Sequence, residues 1–244
     1  MTKTLAFATR NTKEILRDKI NLAFGIGFPV VLIALLQAIQ SNIPVEMFDI
    51  NKLTPGIAVF GLSFVSLFSG QLIAKDRSSS FMLRLFASPM RASDFISAYT
   101  LPLVPMSLVQ VAVCFAFALI FKLTITVNIL MAILVLLPIV IVFIAIGLIC
   151  GSLLTDKQVG GLCGALLTNL TAWLSDTWFD VSLVGGAFET IANALPFIHA
   201  VNAGRAALAG NFEDIFPDLW WTIAYAVVLL ALSIAIFMKK MRAD

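Results

Sequence analysis

The sequence predicts an all-α membrane protein. Of its 244 residues, 60% are hydrophobic and only 12% are charged, and the mean hydropathy is +1.01. Soluble domains are roughly 45–50% apolar and about 25% charged. The apolar residues form runs of about 20, the length that a helix needs to cross a bilayer core of roughly 30 Å. These runs do not alternate in polarity as the strands of a membrane barrel do, so a bundle of transmembrane helices is expected.

Six segments meet this length requirement. They are residues 20–39, 54–74, 99–121, 128–150, 159–178 and 217–238. The segments between them are too short for an independent soluble core, so residues 1–244 are expected to form a single transmembrane domain. The last three spans do not visibly repeat the first three, which disfavours transporters built from inverted repeats.

The basic residues predict the orientation, because cytoplasmic loops carry an excess of Lys and Arg. Six spans place both termini on one side of the membrane. That side would hold thirteen of the 16 basic residues, and the other side would hold Lys52, Lys122 and Arg205. We therefore expect a multi-pass protein of the cell (plasma) membrane with both termini in the cytoplasm.

Residues 1–19 predict an amphipathic helix that lies in the cytoplasmic interface. One arc of this helix holds Leu5, Ala8, Thr12, Ile15 and Leu16, and the opposite arc holds Arg10, Lys13, Glu14, Arg17 and Asp18. Phe7 projects from the polar arc, where water or a partner protein must meet it. This exposed aromatic favours docking to a partner, and a simple anchor before the first span is the alternative.

The stretch KDRSSSFMLRLFASPMRASDF, residues 75–95, interrupts the apolar runs. Ser78 can cap a short helix and Pro89 should end it, which predicts a helix over residues 78–89. This helix carries more apolar surface than a solvated loop tolerates, contributed by Phe81, Met82, Leu85 and Phe86. Arg84 and Arg91 keep it out of the bilayer core. It is expected to dock in a protein groove, and a short connector resting on the chain's own helices is the alternative.

The second and fifth spans carry unusual faces. The second places its aromatic residues and one amide within an arc of about 100°, formed by Phe60, Phe64, Leu67, Phe68 and Gln71. Such an arc usually faces lipid or a neighbouring helix. The fifth combines small residues, which permit close helix approach, with polar groups near mid-membrane that need protein or a cavity beside them. These residues are Gly160, Gly161, Gly164, Thr168, Asn169 and Thr171.

Residues 187–209 predict two short helices, interrupted at Pro196, that dip into the outer leaflet. The single histidine, His199, lies here six residues before Arg205. Without companion ligands it predicts a structural hydrogen bond and not a metal site. The three cysteines, Cys114, Cys150 and Cys163, lie in apolar runs and lack the spacing of metal or disulfide motifs.

The sequence lacks the motifs of hydrolytic chemistry, namely a phosphate-binding loop, HExxH and GxSxG. We therefore expect no enzyme activity and no bound cofactor in this chain. The spans also hold almost no ionisable group except Asp176, which disfavours an ion-coupled carrier. Energy for transport is expected to come from a partner at the cytoplasmic face.

Two segments resemble a known family. SFMLRLFASPMR, residues 80–91, resembles the pattern GTLERLLASPMR that follows the second span in ABC-2 type permeases, the membrane subunits of ATP-binding-cassette exporters. The match includes Arg84, Leu85 and the run from Ala87 to Arg91, whereas Leu83 replaces a Glu. LPFIHAVNAGRAAL, residues 195–208, is similar to the family's segment before its last span, and the order of segments agrees over the whole chain.

The resemblance implies partners and site residues. It makes the N-terminal helix a connecting helix and residues 78–89 a coupling helix on an ABC ATPase subunit, which would hold the ATP and Mg²⁺. The implied coupling residues are Glu14, Arg17, Asp18, Arg84, Leu85, Phe86, Ser88, Pro89 and Met90. The family assembles as two permeases, identical or different, with two ATPase copies. Its cargo path implies a cavity lined by Phe60, Phe64, Phe68, Thr168, Asn169 and Trp173.

The composition bears on the cargo. Twenty phenylalanines and two tyrosines favour a lining suited to apolar surfaces, since sugar rings usually require aromatics with hydrogen-bonding tips. We therefore expect export of a hydrophobic or amphipathic cargo, such as a drug, a peptide antibiotic or a lipid-like molecule, as in multidrug efflux. A polysaccharide or lipid-linked glycan exporter, a sodium exporter, and a stand-alone ion-coupled carrier or channel are the alternatives.

Overall fold

The structure, a computed structural model, describes residues 3–44, 48–79, 90 and 92–243. Regular structure in these residues is helical, and no strand occurs among them. The helices are α1 (Lys3–Arg17), α2 (Lys19–Gln40), α3 (Ile50–Ser78), α4 (Ala92–Ala118), α5 (Asn128–Leu153), α6 (156–174), α7 (Gly186–Ala194), α8 (Pro196–Ala209) and α9 (Phe212–Ala243). The prediction of an all-α membrane protein is confirmed.

Among the described residues, five helices are long and apolar enough to cross a membrane. They are α2, α3, α4 with its extension to Phe121, α5 and α9, and they correspond to five predicted spans with ends displaced by a few residues. The predicted fifth span forms α6, but this helix ends at Leu174 and is not among the five. The six-span layout therefore stays a prediction.

The predicted helix at 78–89 falls largely outside the described residues. Ser78 is the last residue of α3, and Ser79 follows it in an extended conformation. Residues 80–89 are not described. Met90 is partly buried and packs against the core.

Helix α3 is the centre of the bundle. In its most apolar stretch 89% of the residues are buried inside the chain, compared with 22% in α2 and in α9. Its closest neighbour is α5, because small residues line both helices. A Cβ atom at Gly147 would collide with Ser66 and Ser69, and one at Gly151 would collide with Gly70. Glycines of this kind let two backbones touch directly.

Helices α2 and α6 each contain a π-helical segment, Ala23–Gly27 and Gly160–Leu167. Both segments lie against α3, where Gly25 faces the ring of Phe68 and Gly164 faces Leu67. Segments of this type are rare and interrupt the regular hydrogen bonding of a helix. Both helices that flank α3 thus have a π-helical segment where they contact its adjacent residues Leu67 and Phe68.

The bundle has two ends. At the end that we call the terminal end, Phe95 contacts Phe7 and Phe237, with ring centroids 6.2 and 5.8 Å apart. These contacts join α1, the start of α4 and the last turns of α9. We call the opposite end the far end, and α7 and α8 lie there. Leu195 between them is extended, because the proline at position 196 disfavours a helical conformation of the residue before it. Whether α7 and α8 dip into a membrane stays a prediction.

Candidate functional site

The aromatic residues of α3 form a closed cluster. Phe60 and Phe64 lie 5.9 Å apart, and the ring of Phe28 from α2 covers both at 6.0 and 6.1 Å. Trp178 contacts Phe60 at 5.8 Å. Phe60, Phe64 and Phe68 are all buried. The three predicted cavity residues of α3 are thus together, but they pack against a neighbouring helix in this conformation.

The predicted cavity residues of α6 point in two directions. Thr168 is buried, and its hydroxyl donates to the carbonyl of Cys163 at 3.0 Å. Asn169 is exposed and donates to the carbonyl of Ala165 on its own helix at 2.8 Å. Trp173 is 53% exposed. Within one chain, therefore, Thr168 belongs to the interior while Asn169 and Trp173 lie on the outer face of α6.

The far end holds an open cleft of about 870 Å³. Arg205 of α8 lines this cleft. It donates to the Asp176 carboxylate at 2.5 Å and to the backbone carbonyls of Asp176 and Lys52 at 2.6 and 3.0 Å. Asp176 has a φ of 58°, an uncommon conformation for a residue other than glycine. Arg205 thus fastens the turn after α6 to the start of α3.

His199 lies nearby, between α8 and α9. Its Nδ1 is 2.5 Å from Asp218 and its Nε2 is 2.8 Å from the carbonyl of Asn193. Burial lowers the pKa of His199, but the hydrogen bonds to Asp218 and Asn193 raise it by more, so the net pKa lies above its ordinary value. Among the described residues no group of three metal-ligating side chains occurs.

The residues expected to meet a partner at the terminal end lie around the junction of α1, α2 and α3. Glu14 pairs with Arg10 at 2.7 Å, and Arg17 is exposed. Asp18 caps α2 by accepting from the backbone of Asn21, and it lies 3.8 Å from Lys75. Of the residues expected in the coupling helix, Arg84, Leu85, Phe86, Ser88 and Pro89 lie outside the described residues.

The expected exposure of Phe7 is wrong. Phe7 is only 6% exposed and packs edge-on against Tyr99 at 5.0 Å. Leu5 and Leu16, which the helical arc assigned to the apolar side, are 42% and 61% exposed. Helix α1 turns its Phe7 side towards α4, so this aromatic is not a docking surface.

A buried carboxylate escaped the sequence reasoning. Asp76 is 2% exposed and accepts hydrogen bonds from Arg10 and Tyr99. The predicted span ends at Ala74 and therefore leaves Asp76 in the loop. A signal existed: one further helical turn would keep Asp76 on α3, and an acid directly after an apolar run needs a cation.

A model of the ABC-2 type transporter family matches residues 2–209. The chain belongs to this family. No curated protein and no solved structure matches the sequence.

This ABC-2 permease is therefore a multi-pass membrane protein and the membrane component of an ABC-type transporter, a family whose members in general work with an ABC ATPase. The component is a permease and not itself a catalyst. The predicted resemblance is confirmed, and it favours this class over a stand-alone carrier or channel. The match extends from α1 through α8 and stops before α9, which supplies Asp218 to His199.

Proposed function

We propose that this permease is the membrane subunit of an ABC exporter that moves a hydrophobic or amphipathic cargo out of the cell, using ATP hydrolysed by a separate subunit. The cluster of Phe28, Phe60, Phe64 and Phe68 is the observation that supports this class of cargo. Its rings have no polar tips. Phe60, Phe64 and Phe68 are buried, and Phe28 of α2, itself 36% exposed, covers Phe60 and Phe64. Separation of these helices would offer cargo an apolar aromatic wall.

The terminal end is the cytoplasmic end in this proposal. It holds α1, whose exposed side carries Lys13 and Arg17, and the last turn of α3, which precedes residues 80–89 in the chain. Positive residues of this kind are retained in the cytoplasm. Two ATPase copies would contact Glu14, Arg17 and Asp18 together with residues 84–90, one copy on each permease.

A second permease subunit would cover the outer face of α6. This face exposes Gly161, Ala165, Asn169 and Trp173, and a side chain added at Gly161 would meet open space. An amide that faces lipid is costly, whereas small residues allow another helix to approach closely. Two such faces together would place Asn169 and Trp173 of both subunits beside a shared cargo path.

The transport cycle follows from this arrangement. ATP-driven closure of the ATPase subunits would push the two coupling segments together, and rigid-body tilting would convert an inward-facing cavity into an outward-open one. The cluster of Phe28, Phe60, Phe64 and Phe68 would open and close with each cycle. Arg205 and the cleft at the far end lie where cargo would leave.

The test is ATP-dependent uptake of a hydrophobic fluorescent cation into inside-out vesicles that contain the permease and its ABC ATPase. We expect uptake that stops when the ATPase is inactivated, and copurification of the two proteins. Uptake of a glycan or of sodium instead would overturn the cargo class while keeping the exporter. No ATPase in the purified complex and no ATP-dependent uptake would overturn the proposed function.

Trp173→Ala tests the position of the path. We expect a several-fold lower rate of dye uptake, because Trp173 would face cargo in the dimer. Trp220→Ala is the matched control, since Trp220 of α9 is 64% exposed and lies away from α6. Equal effects of the two substitutions would argue against a path beside α6.

A further inference from the structure

The last turn of α3 is bound by two neighbouring helices through one carboxylate. Arg10 of α1 donates to both oxygens of Asp76, each at 2.7 Å. Tyr99 of α4 donates its hydroxyl to the same carboxylate at 2.8 Å. Because Asp76 is 2% exposed, these donors replace the water that a carboxylate otherwise requires. One side chain thus connects α1, α3 and α4.

Further contacts hold α1 in the position that Arg10 needs. Asn11 is fully buried; its amide donates to the carbonyl of Ala98 at 3.1 Å, and its oxygen accepts from Arg10 at 3.0 Å. Phe7 packs edge-on against Tyr99. The seam between α1 and α4 is therefore specific, with a polar network enclosed by aromatic rings.

The next residue binds a fourth helix. Arg77 donates to the carbonyl of Gly151 at 2.8 Å and to that of Leu154 at 3.3 Å, at the end of α5. Terminal carbonyls of a helix have no partner within it and carry partial negative charge, so a guanidinium satisfies both requirements. Gly151 also lies directly against the backbone of Gly70, which leaves α5 little freedom to slide along α3.

These contacts sit immediately before residues 80–89, the segment expected to receive the push of the ATPase. We propose that Arg10, Asp76, Arg77 and Tyr99, here called the Asp76 clamp, are positioning residues that transmit this push from α3 to α1, α4 and α5. The inference rests on the proposed function. Displacing α3 alone would leave the Asp76 carboxylate buried without its donors and would pull Arg77 away from the end of α5, so the four helices move as one body.

The first test measures cargo transported per ATP hydrolysed by the reconstituted complex of permease and ATPase. We expect Asp76→Asn and Arg10→Gln to retain the ATPase partner and its activity while this ratio falls several-fold. Tyr99→Phe removes one hydroxyl and should lower the ratio less. The double variant Arg10→Asp with Asp76→Arg should recover part of the loss. Lys13→Gln, an exposed charge on the same helix, is the control and should leave the ratio unchanged.

A merely structural role predicts a different result. Transport and ATP hydrolysis would then fall together with the yield of folded protein, and an unchanged ratio in Asp76→Asn and Tyr99→Phe would overturn the clamp. Tyr99→Phe keeps the test usable where the charge variants fail to fold.

The second test does not depend on transport. In the purified permease alone, hydrogen exchange of residues 3–17 should rise in Asp76→Asn, while exchange of α9 stays as in the wild type. Unchanged exchange in α1 would overturn the clamp. If the wild-type complex shows no ATP-dependent transport, the proposed function fails, and the exchange result still decides whether Asp76 holds α1.

Discussion

Two arginine–aspartate pairs fasten helices at opposite ends of this permease, and they are built differently. At the terminal end Arg10 meets Asp76, with side chains that are 36% and 2% exposed. At the far end Arg205 meets Asp176, with side chains that are 22% and 19% exposed. The first pair is completed by a tyrosine hydroxyl, the second by backbone carbonyls beside an open cleft. The terminal end therefore holds helices through a carboxylate that water does not reach, although its arginine is partly exposed, whereas at the far end water can reach both the arginine and the aspartate.

The largest difference should appear when each arginine is removed. Arg10→Ala leaves Asp76 buried without its cation, which costs about 3–5 kcal/mol. Arg205→Ala should cost about 1–2 kcal/mol, because water in the cleft can replace the lost hydrogen bonds. The thermal midpoint of the purified permease in detergent measures both. Equal losses would show that the two ends do not differ in this respect.

Glycine substitutions extend the comparison to packing. Gly147→Ala would drive a methyl group into Ser69 and the backbone of Ser66, and since backbone cannot give way we expect a loss of about 3 kcal/mol. Gly56→Ala, nearer the far end, would place its Cβ 2.7 Å from the Thr177 hydroxyl. Thr177 is buried and would have to shift, but a side chain gives way more easily than backbone, so a smaller loss of about 1–2 kcal/mol is expected there.

Gly160→Ala is the control for both glycine variants, because its Cβ would enter open space. Its thermal midpoint should match the wild type or rise slightly, because alanine favours a helix more than glycine does. A midpoint for Gly147→Ala as high as that of the control would refute the close packing of α3 on α5.

The far end should also respond to pH. The pKa of His199 is raised by Asp218 and Asn193 despite burial, so the protonated form stabilises the fold. This contribution is complete below the unfolded pKa of about 6.5 and is lost as the pH rises through the higher folded value. We expect the thermal midpoint to fall over that window. In His199→Gln the same pH change should leave the midpoint flat, and a wild-type slope in this variant would assign the titration to another group.

The smallest effect is expected at an exposed pair of the terminal end. Lys75 lies 3.8 Å from Asp18, with side chains 46% and 36% exposed. Lys75→Ala should change stability by less than about 1 kcal/mol, because solvent screens such pairs. A loss comparable to that of Arg10→Ala would mean that location at the terminal end, and not burial, determines the cost.

Much of the architecture could be read from composition. Long apolar runs leave the chain no alternative to helices in a membrane, and five of the predicted spans appear as helices of sufficient length. Pro196 separates α7 from α8 because a proline disfavours a helical conformation of the residue before it, and Leu195 is extended. The stretch at residues 80–91 and the order of the segments indicated the family, which the match to residues 2–209 confirms.

The sequence by itself could not determine which face of each helix meets protein and which meets lipid. Both surroundings are apolar, so hydropathy does not distinguish them. For that reason the arcs of α1 predict an exposed Phe7, whereas the structure buries Phe7 against Tyr99 and leaves Leu5 of the apolar arc 42% exposed. The partners of Asp76 were equally hidden, since Arg10 and Tyr99 are brought to it only by the packing of α1 and α4 on α3. Composition fixed the helices, and tertiary packing decided which of their charges became buried contacts.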